Sequence, residues 1–153
     1  HTHRTDHVAR VCASMGYPAR RFSEGVPVTA DDSVLMLDVM GELESYFPIA
    51  RVAYIGGSLV PVGGHNLLEA VRAGTAVIMG PHLDNVEDIT QQFIDHGAML
   101  IARDRKELKD EVIGLMRDEG RTRLLVAAAS EVLERNRGSI ERAEQLLIGL
   151  IAR

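Results

Sequence analysis

Short apolar runs alternate with helical stretches along most of this chain of 153 residues. Each run is only three or four residues long, and they lie at 34–37, 52–55, 76–79 and 99–101. A short continuous apolar run is typical of a strand that is buried in a parallel sheet. The alternation with helices therefore predicts an α/β fold, in which a Rossmann-like parallel sheet carries helices on both faces.

Apolar residues at helical spacing, with glycine or proline at the ends, mark the predicted helices. The first four lie at 6–15, 41–47, 66–73 and 86–96, and the last three at about 104–118, 120–136 and 139–152. A further short strand is predicted at 20–23, and Pro48 is expected to end the second helix. The C-terminal helices are expected to pack on the sheet through Leu108, Val112, Leu115, Met116, Leu124, Leu125, Ala128 and Val132.

Composition and charge exclude several classes of protein. The net charge is −5, and the chain has no Trp, three Tyr and three Phe, which argues against a nucleic-acid partner and against base stacking. The single cysteine, Cys12, excludes an intrachain disulfide and a cysteine-based zinc site, and it favours a reducing compartment. No apolar run reaches the length of about 20 residues that spans a bilayer.

The N-terminus has neither a starting methionine nor a signal-peptide pattern, so the chain is expected to begin inside a larger protein. Three histidines, His1, His3 and His7, can in principle hold a metal ion. A solvated chain end is the better interpretation, because terminal residues are usually poorly ordered. No metal site is therefore predicted.

Three loops follow predicted strands: Asp38–Glu42, Gly56–Asn66 and Gly80–Asn85. In a parallel sheet, ligands bind in the crevice beyond the carboxyl ends of the strands. These loops hold most of the unusual residues of the chain, and all three are expected at one edge of the sheet.

The loop from Gly56 to Asn66 contains two pairs of glycines and leads from a strand into a helix. Glycines permit positive φ and close backbone approach, and a helix N-terminus attracts a phosphate. The loop matches neither the dinucleotide fingerprint nor the P-loop. A phosphate or nucleotide site is therefore the prediction, and a tight turn that needs small residues is the alternative.

Two side chains, one in this loop and one just after it, each have two possible interpretations. Glu69 either returns to the backbone of Asn66, as in a capping box, or accepts hydrogen bonds from ribose hydroxyls. His65 either donates to a phosphate or is an ordinary loop residue.

Several segments together resemble the 3-deoxy-D-manno-octulosonic acid (Kdo) transferase family. They are YIGGSLV at 54–60, GGHNLLE at 63–69, MGPH at 79–82 with Asn85 and Asp88-Ile89, DVMGEL at 38–43 and RRFS at 20–23. Val39 stands where the family usually has threonine. The resemblance covers about residues 1–110 and is weak beyond them.

The resemblance implies a GT-B glycosyltransferase that transfers Kdo from CMP-Kdo to lipid A precursor in lipopolysaccharide biosynthesis. Residues 1–153 are expected to be part of its C-terminal nucleotide-sugar-binding domain, truncated at the N-terminal end, with C-terminal helices at about 104–152. The acceptor site, the catalytic base and a membrane-anchoring segment at the cytoplasmic face of the inner membrane belong to the part that is absent. The fragment alone is expected to be soluble and inactive.

The resemblance also implies roles for single residues. Gly41 and Glu42 are expected near the cytidine, and Gly63, Gly64, His65 and Asn66 at the phosphate. Glu69 is expected on the ribose hydroxyls. His82 and Asn85 are candidate contacts to the phosphate or the sugar, and an ordinary turn is the alternative for both. Glu42 is alternatively only a first-turn helix acid.

The implied reaction is an inverting transfer that needs no metal and no cofactor, and it places no catalytic residue in this fragment. The alternatives are another GT-B sugar-nucleotide transferase or epimerase, and a non-catalytic Rossmann-like binding module.

Overall fold

The computed structural model describes the backbone of residues 2–151 and the side chains of residues 5–137. The chain divides into two compact units, His1–Tyr46 and Phe47–Arg153. His1 and the side chain of His3 lie outside the described residues, so the prediction for the terminal histidines stays untested. Among the described residues, no helix combines the length and the apolar character needed to cross a membrane.

The first unit is built around a two-stranded parallel sheet. Helix α1 (Thr2–Ser14) precedes strand β1 (Ala19–Arg21), which is followed by a 3-10 turn (Phe22–Glu24) and by strand β2 (Val34–Met36). In the register of the two strands, Arg20 lies opposite Leu35. None of the side chains at 5–46 is fully buried.

The second unit contains a three-stranded parallel sheet with the order β3-β4-β5. Its elements alternate along the chain: β3 (Val52–Tyr54), α2 (Leu68–Arg72), β4 (Ala76–Met79), α3 (Glu87–Asp95), β5 (Leu100–Ile101), α4 (Arg105–Arg117) and α5 (Glu119–Ile151). This order confirms the α/β prediction of parallel strands with flanking helices.

The central strand β4 organises the core of the second unit, because all four of its residues are buried. Val77 and Met79 belong to one apolar cluster, with Phe93 of α3 and Val132 of α5. The alternate residues of the strand belong to a second cluster, which includes Leu115 of α4 and Leu125 of α5: Ala76 and Ile78. Side chains alternate across a strand, so β4 packs against helices on both faces.

Some predicted elements are wrong in their type or extent. The segment predicted as a helix at 41–47 is a 3-10 helix at Leu43–Ile49 with Pro48 inside it, because the fixed φ of proline suits 3-10 geometry. The two last predicted helices are one helix, α5. A single glycine such as Gly138 costs a helix interior about 1 kcal/mol, which does not end it.

The burial predictions also need correction. Strand β2 is only half-buried, since it pairs with one short strand in its sheet. Strand β3 is half-buried as well, because it lies at one side of β4. Leu108, Leu115 and Leu125 belong to the core as predicted, whereas Met116 and Leu124 are 51% and 74% exposed.

Candidate functional site

Two loops of the second unit follow neighbouring parallel strands. The glycine loop (residues 56–66) follows β3, and the 80–85 loop follows β4. Because β3 and β4 pair in parallel, the two loops leave the sheet at the same edge. The prediction of one shared edge is confirmed for these two loops. It is wrong for the third loop, Asp38–Glu42, because that loop follows β2, which belongs to the other sheet.

Four hydrogen bonds join the two loops, and three of them have His82 or Asn85 as the donor. The backbone N–H of His82 donates to the carbonyl of Ser58 at 3.0 Å, and that of Asn85 donates to the carbonyl of Gly63 at 3.0 Å. The side-chain Nδ2 of Asn85 donates to the carbonyl of Val62 at 2.8 Å. The 80–85 loop therefore holds both ends of the glycine loop.

Ser58 is a buried residue whose role the sequence analysis missed. Its Oγ donates to the carbonyl of Ile55 at 2.6 Å and accepts from the N–H of Gly80 at 2.8 Å. A Cβ on Gly80 would lie 2.1 Å from the carbonyl oxygen of Ser58, so only glycine fits there. The available signal was a small hydroxyl residue just after one strand and a glycine just after the next.

The glycine loop needs its glycines for conformation. Gly57, Gly63 and Gly64 have φ values of 75°, 97° and 74°, which other residues rarely adopt. Gly63 and Gly64 are buried, and the N–H of Gly64 donates to the carbonyl of Gly57 at 3.0 Å. The Gly64 amide is therefore not free for a ligand. Among the described residues, the backbone N–H groups of His65 and Asn66 have no acceptor.

His65 and Asn66 are exposed at the end of this loop. The His65 ring lies beside Gly57, since a Cβ there would be 3.3 Å from Nε2. Oδ1 of Asn66 accepts from the N–H of Leu68 at 2.9 Å, and this turn precedes the helix. Helix α2 is only five residues long, so it is shorter than predicted and gives little dipole support to a phosphate.

Glu69 does not form a capping box. Helix α2 begins at Leu68, and its N-terminal cap residue Leu67 makes no side-chain cap. Glu69 is exposed, and within the part of the chain that the structure describes its carboxylate accepts no hydrogen bond. The capping interpretation is wrong, and the ribose interpretation stays a prediction.

A cleft of about 560 Å³ lies beside Asn66 and Asn85. Its other wall is formed by the start of α3 and the residues before it: Asp84, Val86, Glu87, Asp88, Ile89 and Gln92. Three of these side chains are carboxylates, which repel an anion. A phosphate is therefore more favourable at the N–H groups of the glycine loop than beside the carboxylates of this cleft.

The remaining candidates of the second unit are His82 and Asn85. The side chain of His82 is half-buried and makes no hydrogen bond to a described residue. Asn85 is exposed, but both its backbone and its side chain hold the glycine loop. Contacts of either residue to a ligand stay predictions.

Gly41 and Glu42 belong to the first unit, whereas the other seven predicted site residues belong to the second. Gly41 is exposed with a φ of 88°, and Glu42 is half-buried. The loop that contains them starts at Asp38, which accepts hydrogen bonds from the N–H of Ser23 at 2.9 Å and from its Oγ at 2.7 Å. These bonds lower the pKa of Asp38. Two motifs that are separate in the sequence, RRFS and DVMGEL, therefore meet, and the sequence analysis missed this contact.

Comparison with known proteins extends the resemblance over most of the chain. No protein-family model matches it. The 3-deoxy-D-manno-octulosonic acid transferase of Bordetella pertussis is 36% identical over 130 residues, which is 85% of this chain and 30% of that protein. The enzyme of the same name from Haemophilus influenzae is 33% identical over 129 residues, again 30% of its length. The chain thus spans about a third of the length of these curated relatives.

A solved structure matches the fold as well as the sequence. It is the crystal structure of the C-terminal CMP-Kdo binding domain of WaaA from Acinetobacter baumannii, with a TM-score of 0.82 and 35% identity. The match covers 87% of this chain and 69% of that one. The chain therefore belongs to the 3-deoxy-D-manno-octulosonic acid transferase family, with a fold that matches its C-terminal domain.

Proposed function

We propose that this chain binds CMP-Kdo and supplies the donor side of a glycosyltransferase that transfers Kdo to lipid A precursor in lipopolysaccharide biosynthesis. The observation that carries this proposal is the match to the CMP-Kdo binding domain of WaaA, at 35% identity and a TM-score of 0.82. The match covers 69% of that CMP-Kdo binding domain, and its fold and its sequence both support donor binding by this chain.

The phosphate of CMP is proposed to bind at the end of the glycine loop. Gly63 and Gly64 shape the loop, and the backbone N–H groups of His65 and Asn66 need an acceptor. The exposed ring of His65 is a further donor beside them. Donors placed where charge grows on departing CMP stabilise the transition state more than the ground state.

The nucleoside is proposed to be bound by carboxylates and by backbone. Glu69 is exposed and has no hydrogen-bond partner among the described residues, so its carboxylate is available to the two ribose hydroxyls. Gly41 and Glu42 are assigned to the cytidine by the family motif that contains them. His82 is assigned to the phosphate or the sugar in the same way.

The whole enzyme is proposed to act at the cytoplasmic face of the inner membrane, where the lipid acceptor is held. A base outside this chain deprotonates the acceptor hydroxyl, which attacks the anomeric carbon of Kdo with inversion. The chain by itself is expected to bind the donor without turning it over.

The test is a calorimetric titration of the chain with CMP, UMP and UDP. We expect CMP to bind at least tenfold more tightly than UMP. Tighter binding of UDP would instead indicate a UDP-sugar enzyme. Absent binding, or equal binding of all three, would overturn the proposal.

A variant tests the ribose assignment. Glu69→Gln should weaken CMP binding by about 1–3 kcal/mol, because a charge-assisted hydrogen bond is lost. Glu119→Gln is the matched control, since Glu119 is also an acid in the first turn of a helix and should leave CMP affinity unchanged. Unchanged affinity of Glu69→Gln would remove Glu69 from the site.

A further inference from the structure

We propose that Asn85 is a positioning residue, which sets donor affinity by holding the glycine loop rather than by touching the donor. This inference rests on the proposed function, because it concerns the binding of the same nucleotide. It differs from the role that the family resemblance implies for Asn85, which is a direct contact to the phosphate or the sugar.

Asn85 holds the loop at two consecutive residues and from two directions. Its N–H binds the carbonyl of Gly63 at 3.0 Å, and its Nδ2 binds the carbonyl of Val62 at 2.8 Å. Its carboxamide also fills the space where a side chain of Gly63 would be, since a Cβ there would lie 2.5 Å from Nδ2. One residue thus restrains the backbone just before the proposed phosphate donors.

The tip of the loop depends on such restraints, because the other hydrogen bonds between the two loops end at Ser58. Its three glycines with positive φ have wide conformational freedom in the absence of contacts. The tip of the loop packs weakly, since Val60 and Val62 are 54% and 57% exposed. Without Asn85, no described residue outside the glycine loop makes a hydrogen bond to residues 59–63.

The chemistry of the carboxamide also favours an indirect role. Nδ2 donates one of its two hydrogens to Val62, and Oδ1 is an acceptor that does not bind a phosphate oxygen, so only one N–H of the carboxamide is left for a ligand. The glycine loop, by contrast, leads directly to the N–H groups of His65 and Asn66, which have no acceptor within the described chain. Holding Val62 and Gly63 therefore holds the proposed phosphate donors.

Two variants of Asn85 test this inference. Asn85→Asp has nearly the same shape but cannot donate to Val62, and Asn85→Ala removes the group without adding charge. Gln92 lies in the same cleft and has no hydrogen bond to the glycine loop. Gln92→Ala and Gln92→Glu are therefore the matched controls for truncation and for added charge.

Two readouts separate the possible roles. The first is hydrogen exchange at the Gly64 amide in the ligand-free chain, which reports the bond to Gly57, with β4 amides as the measure of global stability. The second is the CMP dissociation constant. Both Asn85 variants should speed Gly64 exchange at least tenfold, leave β4 exchange unchanged and weaken CMP binding about tenfold. The Gln92 variants should do none of these.

Each other result overturns part or all of the inference. Weaker CMP binding with unchanged Gly64 exchange would make Asn85 a direct contact. Faster exchange with unchanged CMP affinity would make it a structural residue only. If the unaltered chain does not bind CMP, the proposed function fails, and Gly64 exchange still decides whether Asn85 holds the loop.

Discussion

The two units restrain the loop after a parallel strand by different physical means. In the first unit, the charged and exposed Asp38 begins the loop after β2 and accepts two hydrogen bonds from Ser23. In the second unit, Ser58 is neutral and fully buried, and it joins the ends of β3 and β4. The loop is therefore held by an exposed, ionised carboxylate in one unit and by a buried, neutral hydroxyl in the other.

Burial explains the difference. No side chain at 5–46 is fully buried, so carboxylates there keep much of their hydration while they bind neighbouring donors. Ser58 and Gly80 at the carboxyl edge of the second sheet are buried, and an ionised group in such a place is costly unless it is paired. The first unit should therefore respond to pH, and the second to added volume.

The largest effect is expected where the second unit has no space at all. Gly80→Ala places a Cβ 2.1 Å from the backbone of Ser58 and should cost about 3 kcal/mol, because backbone must move. Hydrogen exchange of the β4 amides measures the stability of this unit. Gly56→Ala is the control, since a Cβ there meets nothing within 4 Å. Equal effects of the two variants would contradict the packing argument.

A smaller loss of folding stability is expected from a substitution at Gly63, because the new Cβ would meet a side chain rather than backbone. Gly63→Ala adds backbone strain at a φ of 97° and displaces Asn85, so the loss of stability should be about 2 kcal/mol. Gly97→Ala has strain at a φ of 60° but open space around it. The exchange of core amides should therefore show a smaller loss for Gly97→Ala, and the reverse order would argue against the contact with Asn85.

Acid should weaken the first unit before the second. Hydrogen bonds from Arg20 and from Thr29 lower the pKa of Asp32 from 3.8 to about 2. The folded state therefore favours the ionised form, and this stabilisation is present above the unfolded pKa and is lost as the pH falls from 3.8 to about 2. The protection factors of the β1 and β2 amides, which are corrected for the intrinsic exchange rate at each pH, should fall over this range, while those of the β4 amides stay high. Asp32→Asn should remove the transition, and simultaneous loss in both sheets would contradict it.

The smallest effect is expected at the bond that joins the two motifs of the first unit. Ser23→Ala removes the hydroxyl that donates to Asp38, so the pKa of Asp38 should rise toward its ordinary value of 3.8. A carbon-detected NMR titration of the carboxylate measures this. Ser33→Ala, which removes another exposed hydroxyl of the same unit, should leave the pKa of Asp38 unchanged. An unaltered pKa in Ser23→Ala would show that the backbone N–H of Ser23 is sufficient.

Part of the candidate site could be predicted because it depends on local patterns. Strand β4 agrees residue for residue with its apolar run, and Gly57, Gly63 and Gly64 have the positive φ that the glycine loop predicts. The same kind of local pattern allowed two interpretations of Glu69, and one of them, the capping box with Asn66, is wrong. Local spacing permits such a box, but helix α2 begins at Leu68, so Glu69 is its second residue rather than its third.

By itself, the sequence determined the alternation of strands and helices, the need for glycine in the loop after β3 and the membership of the family. Only the tertiary structure decided which loop amides are already used and which residues hold the loops: Ser58 with Gly80, Asn85 with Val62, and Ser23 with Asp38. The physical reason is distance along the chain. These partners are 15 to 23 residues apart, and the pairing of parallel strands, rather than any local period, brings them within hydrogen-bonding distance.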